Sequence, residues 1–386
     1  MKQQSPSKAT LCRELYTKTG YVFAKSPAEI AAASGFAEVA MLGSNENPYP
    51  PSPAVLKAAE AALAAANRYP DPKTEEFIAA LRRYVYDHPV VTSGLGMDGV
   101  IETVIRTLVS PGEKIVVSTP TFSVYGLDAA AASARLVNVP RAADFSVDVD
   151  AFIAEAADAK LSFLCTPNNP TGTVTGIADI ERILSEISGV LFLDNAYVEF
   201  CDVDYLPLLK KYDNLVIGRT LSKVYGLAGL RVGYGFVPAW LEGPYRSAAT
   251  PFTLNRVSEA AAVAAVSDTA YRDNFIAHVR KWRETFVREI PFPVLASGAN
   301  FVLFDVAPMT SNEAMEAFAK AGVLVRSCAS FPGLGETFVR VSVGDVWENE
   351  RFLAAVEPAG WSGVPGRRVR GWQRRPGRWA GAGVVG

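Results

Sequence analysis

Residues 214–237 read NLVIGRTLSKVYGLAGLRVGYGFV. Two short apolar runs, NLVIGRT (214–220) and RVGYGFV (231–237), flank a segment that carries Ser222, Lys223 and two glycines. Runs of this length, rich in β-branched and aromatic residues and bounded by turn residues, predict strands. Four more of the kind precede them: KIVVSTP (114–120), ARLVNVP (134–140), LSFLCTP (161–167) and VLFLDNAY (190–197). Helical segments fall between them from about residue 90 to 240, so the expected fold class is α/β, with a mostly parallel central sheet flanked by helices. Near-continuous hydrophobicity predicts strands covered on both faces. In such sheets ligands gather beyond the carboxyl ends of the strands, and the polar residues just after each run become the candidates for chemistry.

The composition narrows the chemistry further. The chain has 386 residues, 49% hydrophobic and 20% charged, which is ample for a large core and too long for one small domain. A formal net charge of −2 gives no bulk attraction to nucleic acid, so small molecules are the expected partners. The four cysteines, Cys12, Cys165, Cys201 and Cys328, are far apart and form no CxxC, which argues against a disulfide framework or a zinc site. Only two histidines occur, His88 and His278, and both are read as structural, so no metal is expected. The amino terminus has no apolar core of signal-peptide length and no later segment is long and apolar enough to span a membrane, which predicts a soluble cytoplasmic protein.

Four regions are expected. Residues 1–40 include SPAEIAAASGFAEV, a helix that needs a partner surface, and are read as packing with a smaller lobe. Residues 41–244 form the large domain. Residues 245–357 begin with alanine-rich helical sequence and add the runs NFVLFDV, VLVRSC and FVRVSVG, a smaller α+β domain. Residues 358–386 are rich in Gly, Arg and Trp, with six arginines and no acid, and read as a disordered tail.

Lys223 stands just past a predicted buried strand, where most lysines are solvated, so its companions decide its meaning. Asp194 closes the run VLFLD, and a carboxylate there is costly without a cationic partner. Tyr197 follows three residues later, and Asn169 ends another run in LCTPNNPTG. An amide, an acid, a phenol and an amine at one sheet edge meet the needs of a pyridine aldehyde: an anion at its nitrogen, donors at its phenolic oxygen and an amine at its carbonyl.

With NNPTG, DNAY, SK and LAGLRVGY in this order, the sequence resembles the class I and II pyridoxal-phosphate-dependent aminotransferases, whose fold is fold type I. The resemblance implies pyridoxal 5'-phosphate as cofactor, held covalently through the amine of Lys223. It implies Asp194 at the ring nitrogen, Asn169 and Tyr197 at the ring hydroxyl, and Phe122 stacked on the ring. For the phosphate it implies Ser222, Arg231 and the turn Gly96, Met97 and Asp98, where a glycine loop opens a helix whose free N–H groups bind anions. It also implies Tyr69 reaching in from the neighbouring subunit of a homodimer. Met97, Phe122 and Asn195 depart from the residues usual at their positions, and none removes a group the chemistry requires.

The stretch LGSNENPYPPSP (42–53), with Tyr21 upstream and RYPDP following, resembles the branch that exchanges an amino group between histidinol phosphate and 2-oxoglutarate in histidine biosynthesis. That branch implies two arginines for anionic substrates, Arg340 in FVRVSVGD and Arg326 in VLVRSC, with Tyr21 at the substrate phosphate. Asn47 is either a site residue or a turn residue before Pro48. Threonine-phosphate decarboxylation and aromatic transamination are the rival activities on the same scaffold. A cofactor-binding regulatory domain is a remote alternative, disfavoured because about forty residues precede the core, too few for a fused winged helix.

Overall fold

The computed structural model describes residues 13, 15–16 and 27–356. Tyr21 and the segment 358–386 lie outside the described residues. The strands are β1 (Ala40–Met41), β2 (Val91–Leu95), β3 (Lys114–Thr119), β4 (Arg135–Pro140), β5 (Leu161–Cys165), β6 (Val190–Asp194), β7 (Leu215–Thr220), β8 (Val232–Phe236), β9 (Phe301–Asp305), β10 (Val323–Leu324), β11 (Arg326–Ser327) and β12 (Phe338–Ser342). Seven of them form the central sheet in the order β2-β8-β7-β6-β5-β3-β4. β3 to β7 run parallel, and β8 alone opposes its neighbours.

All six runs quoted from 114 to 237 are strands, and β5 to β8 are buried along their whole length. β4 is the exception: it lies at the sheet edge and is largely exposed, because one strand face and one ladder have no neighbour. A seventh strand, β2, occupies what the sequence presents as part of a glycine loop; Ser93 and Gly94 interrupt its apolar pattern. The fully buried rings of Phe163, Phe192, Tyr234 and Phe236 fill the core around this sheet, each worth about 1.5–3 kcal/mol relative to exposure.

The alanine-rich stretch after residue 255 forms two helices, Arg256–Ser267 and Thr269–Glu289, divided at Asp268, whose carboxylate accepts the Tyr271 N–H at 3.1 Å and caps the second helix. The first packs on the helices Pro53–Leu63 and Glu75–Tyr84. Beyond them β11, β12 and β9 make a three-stranded antiparallel sheet, and β1 pairs in parallel with β10. The helix Pro27–Ser34 lies against the helix Ser311–Lys320. Among the described residues no helix is long and apolar enough to cross a membrane, and no group of three or more His, Cys, Asp or Glu is placed to hold a metal ion.

Parallel register brings the chemistry together. Cys165 of β5 faces Asp194 of β6, which faces Gly218 of β7, so the segments bearing Asn169, Asp194 and Lys223 leave the sheet at one edge. β8 starts at that same edge because it runs the other way, and Arg231 immediately precedes it.

Candidate active site

Lys223 sits three residues past β7, in a turn that Thr220 fastens: the Thr220 hydroxyl lies 2.9 Å from Ser222 Oγ, accepts the Ser222 N–H at 3.1 Å and lies 3.2 Å from the Val232 carbonyl. The Lys223 side chain is half-buried, donates to the Ser44 carbonyl at 3.3 Å and lies 5.7 Å from the centre of the Tyr197 ring. Burial pushes its ammonium down to about 8, with Arg340 and Arg231 adding repulsion against the opposing pull of Glu46 and Asp98. An amine with this pKa has a useful neutral fraction near pH 7.

A cavity of about 350 Å³ opens beside it. Asp194, Tyr197, Phe122, Ser222, Met97, Asp98 and Arg231 line it. Asp194 is buried, and its pKa is raised to about 6 by that burial, restrained by the Tyr125 hydroxyl, which donates at 2.5 Å, and by the Ala196 N–H at 3.0 Å. Tyr125 stacks on Phe163 with 4.7 Å between ring centres and meets Phe122 edge-on at 5.7 Å. Tyr197 is buried and its hydroxyl accepts from Asn45 Nδ2 at 3.1 Å.

At the cavity wall that holds Met97 and Asp98, β2 ends and the helix Gly96–Leu108 begins. Gly96 has φ 69°, and a Cβ there would come 2.6 Å from the Arg231 guanidinium, so only glycine lets that side chain lie across the helix start. Arg231 itself has φ 52°, and its Nη2 donates to Asp98 Oδ2 at 2.7 Å. The Gly96 N–H donates to the Arg231 carbonyl at 2.9 Å, and beyond it the first-turn N–H groups, the helix dipole and a guanidinium meet at one point.

A second recess adjoins the first, bordered by Phe122, Asn169, Arg326, Phe331 and Arg340. Arg340 is buried; its Nη1 donates to Asn169 Oδ1 at 2.5 Å and its Nη2 to the Gly43 carbonyl at 2.7 Å, with its guanidinium 5.3 Å from the Phe301 ring centre. Arg326 of β11 is the direct antiparallel partner of Arg340 on β12. Like charges directly opposite are unfavourable, and an anion between them reverses the sign.

The structure therefore brings Lys223, Asp194, Tyr197, Phe122, Ser222, Arg231, Met97 and Asp98 to one cavity, with Gly96 at its margin, and places Asn169, Arg326 and Arg340 around the adjoining recess. Asn47 lines a neighbouring cavity that shares Glu46 and Ser222 with the first, and its amide accepts the Tyr49 N–H and donates to the Val224 carbonyl and the Tyr271 hydroxyl. Tyr69 is 78% exposed and stacks on Phe252 at 4.6 Å, away from its own chain's cavity. Sequence reading missed Tyr125, Asn45, Ser44, Glu46 and Thr220.

The family model of the class I and II aminotransferases matches residues 37–356. The chain is 72% identical over 345 residues to the histidinol-phosphate aminotransferase of Methanocorpusculum labreanum, covering 89% of this chain and 98% of that one. It is 59% identical over 348 residues to the histidinol-phosphate aminotransferase of Methanoculleus marisnigri, covering 90% and 99%. The crystal structure of the Sinorhizobium meliloti histidinol-phosphate aminotransferase in complex with pyridoxal-5'-phosphate superposes with a TM-score of 0.81 at 26% identity, covering 90% of this chain and 97% of that one. A profile matched from β1 through the last described helix, and relatives matched over nearly their full length, lead to one conclusion: the chain belongs to the class I and II aminotransferase family.

Proposed function

We propose that this protein is a pyridoxal-phosphate-dependent transaminase that exchanges the amino group between L-histidinol phosphate and 2-oxoglutarate, giving imidazole acetol phosphate and L-glutamate. The observation that carries the substrate reading is the facing pair Arg326 and Arg340 beside the lysine cavity, joined to the name and 72% identity of the M. labreanum relative. Two forked cations suit a site that must accept both a phosphate and a carboxylate.

The residues fit the cofactor. A buried carboxylate, a helix start with an arginine, an amine of depressed pKa and an aromatic ring line one cavity. Bound there, pyridoxal phosphate supplies a carbonyl that captures amines and a ring that accepts electrons from the substrate Cα. Asp194 holds the ring nitrogen protonated. Tyr197 and Asn169 donate to the ring oxygen, and Phe122 covers a ring face. The N–H groups of Met97 and Asp98 would bind the phosphate with Ser222 and Arg231, while the Gly96 N–H stays with the Arg231 carbonyl and fixes the turn; for this Arg231 leaves its pairing with Asp98 or shares it. Lys223 would hold the cofactor through its amine, and as a neutral base it would take the proton from the substrate Cα. Arg340 and Arg326 hold the substrate anion. Tyr69, exposed in the single chain, reaches the phosphate of a second subunit in a homodimer, and Tyr21 completes the substrate phosphate site. We place the enzyme in the cytoplasm.

The test is glutamate formation from histidinol phosphate and 2-oxoglutarate by the purified holoenzyme, with threonine phosphate and phenylalanine assayed in parallel. Glutamate formation fastest with histidinol phosphate is expected. Carbon dioxide release from threonine phosphate, or preference for phenylalanine, moves the protein to another branch. Arg326→Leu is expected to raise KM for histidinol phosphate about 10- to 100-fold, the scale of one charge-assisted contact, with a smaller change for phenylalanine. An equal change for both substrates removes Arg326 from the phosphate site.

A further inference from the structure

We propose that Asn45 is a positioning residue that fixes the direction in which the Tyr197 hydroxyl donates, so that its proton points into the cavity beside Lys223. The inference rests on the reading of Tyr197 as a donor to the cofactor's ring oxygen and adds a residue to which that reading gives no role.

Asn45 is 1% exposed and has φ 55°, the left-handed region that residues with a side chain rarely occupy. Such a conformation persists only where the surroundings over-determine it, and here every polar group of the residue is engaged. Its N–H donates to Ser342 Oγ at 2.9 Å, and its carbonyl accepts from Asn300 Nδ2 at 3.1 Å. Its Oδ1 accepts from the Ser342 hydroxyl at 2.9 Å, and its Nδ2 donates to the Tyr197 hydroxyl at 3.1 Å.

The direction of these bonds follows from the donor inventory. An amide oxygen only accepts, so the Ser342 hydroxyl supplies the proton of its bond to Oδ1, and with Oδ1 placed there the amide presents its nitrogen to Tyr197. An amide nitrogen cannot accept. Tyr197 oxygen therefore accepts on that side, and its single proton is left for another direction. The ring is held edge-on to Phe301 at 5.2 Å, and the residue lines the cavity that Lys223 also lines. Burial keeps the phenol protonated, holding its pKa well above the usual value. Ser342 belongs to β12 and Asn300 directly precedes β9, so the three-stranded sheet sets the polarity of a hydroxyl in the cavity of the central sheet.

The test uses the full-length holoenzyme and follows the absorbance of the bound cofactor against pH in four forms: wild type, Asn45→Asp, Tyr197→Phe and the double variant. A donor to the ring oxygen favours its anion, so loss of that donor raises the titration midpoint. Tyr197→Phe is expected to raise it by about one pH unit, the scale of one hydrogen bond to a charged acceptor. Aspartate at position 45 only accepts, which turns the Tyr197 proton away from the cavity. Its added charge acts in both backgrounds, and the shift is expected to be about one unit larger with Tyr197 present than in the Tyr197→Phe background. Equal shifts in the two backgrounds overturn the role of Asn45 while leaving Tyr197 in place; an unmoved midpoint in Tyr197→Phe alone overturns the reading of Tyr197 beneath it. Should Asn45→Asp fail to fold, Ser342→Ala releases the amide without adding charge. It is expected to give a smaller rise that vanishes when combined with Tyr197→Phe, and a rise that persists in that combination overturns the proposal.

Discussion

Lys223→Ala is expected to lower steady-state transamination by about 10⁴-fold or more, since one substitution removes both the amine that holds the cofactor and the base that moves the substrate proton. The same residue burdens the empty protein. Its pKa is about 8 in the folded chain and 10.5 in the reference state, so the folded form binds fewer protons than the unfolded form between those values. Stability therefore rises with pH across that window, and the full cost of the buried ammonium is present below pH 8. For a half-buried group, solvent screening reduces that cost to on the order of 2 kcal/mol. Lys223→Met should then give an inactive apoprotein more stable than wild type at pH 7, with the difference shrinking toward pH 10.5. Urea unfolding of the two apoproteins at pH 7 and 10 measures this. A variant that turns over substrate, or one less stable at pH 7, contradicts the role drawn from the geometry.

Three of the residues legible in the sequence are charged groups at the end of an apolar run, just past one or within one. Asp194 closes β6, Lys223 follows β7 and Arg340 interrupts β12, and in each the chemistry shows through a hydrophobic background. Tyr125, Ser342 and Asn300 give no such signal, because a tyrosine, a serine and an asparagine are ordinary in buried elements and their meaning lies in partners far along the chain. Asn45 and Asn47 make the point within one motif. Two residues apart in NENP, the first is buried against Tyr197 and β12, while the second turns to Val224 and Tyr271. Pro48 marks Asn47 as a turn candidate, but nothing local marks Asn45; the seating of the three-stranded sheet does. For the same reason β4 reads like an interior strand, since edge position is a property of sheet order and not of the run itself.

Asp194→Asn is expected to lower kcat by about 10²- to 10⁴-fold, the range for removing a preorganised charge from the place where the reaction develops its opposite. Its pH behaviour identifies the cause. In the apoprotein the folded carboxyl has a pKa of about 6, above its reference value of 3.8, so the folded chain holds the extra proton between those values. The contribution of this group to apoprotein stability is present below pH 3.8 and lost as pH rises through 6. Cofactor binding has the opposite sign, because a protonated ring nitrogen pairs only with the ionised acid. Cofactor affinity of wild type should fall about tenfold per unit as pH drops below 6, and Asp194→Asn should be weak and flat over the same range. Tyr125→Phe supplies the intermediate case. It removes the 2.5 Å donor that restrains the Asp194 pKa, so the loss of affinity should begin at a higher pH than in wild type. Titrating cofactor into the three apoproteins from about pH 5 to 8 separates these expectations. A parallel pH dependence in Asp194→Asn and wild type would assign the proton to another group and leave Asp194 as a buried acid held for the sake of Tyr125.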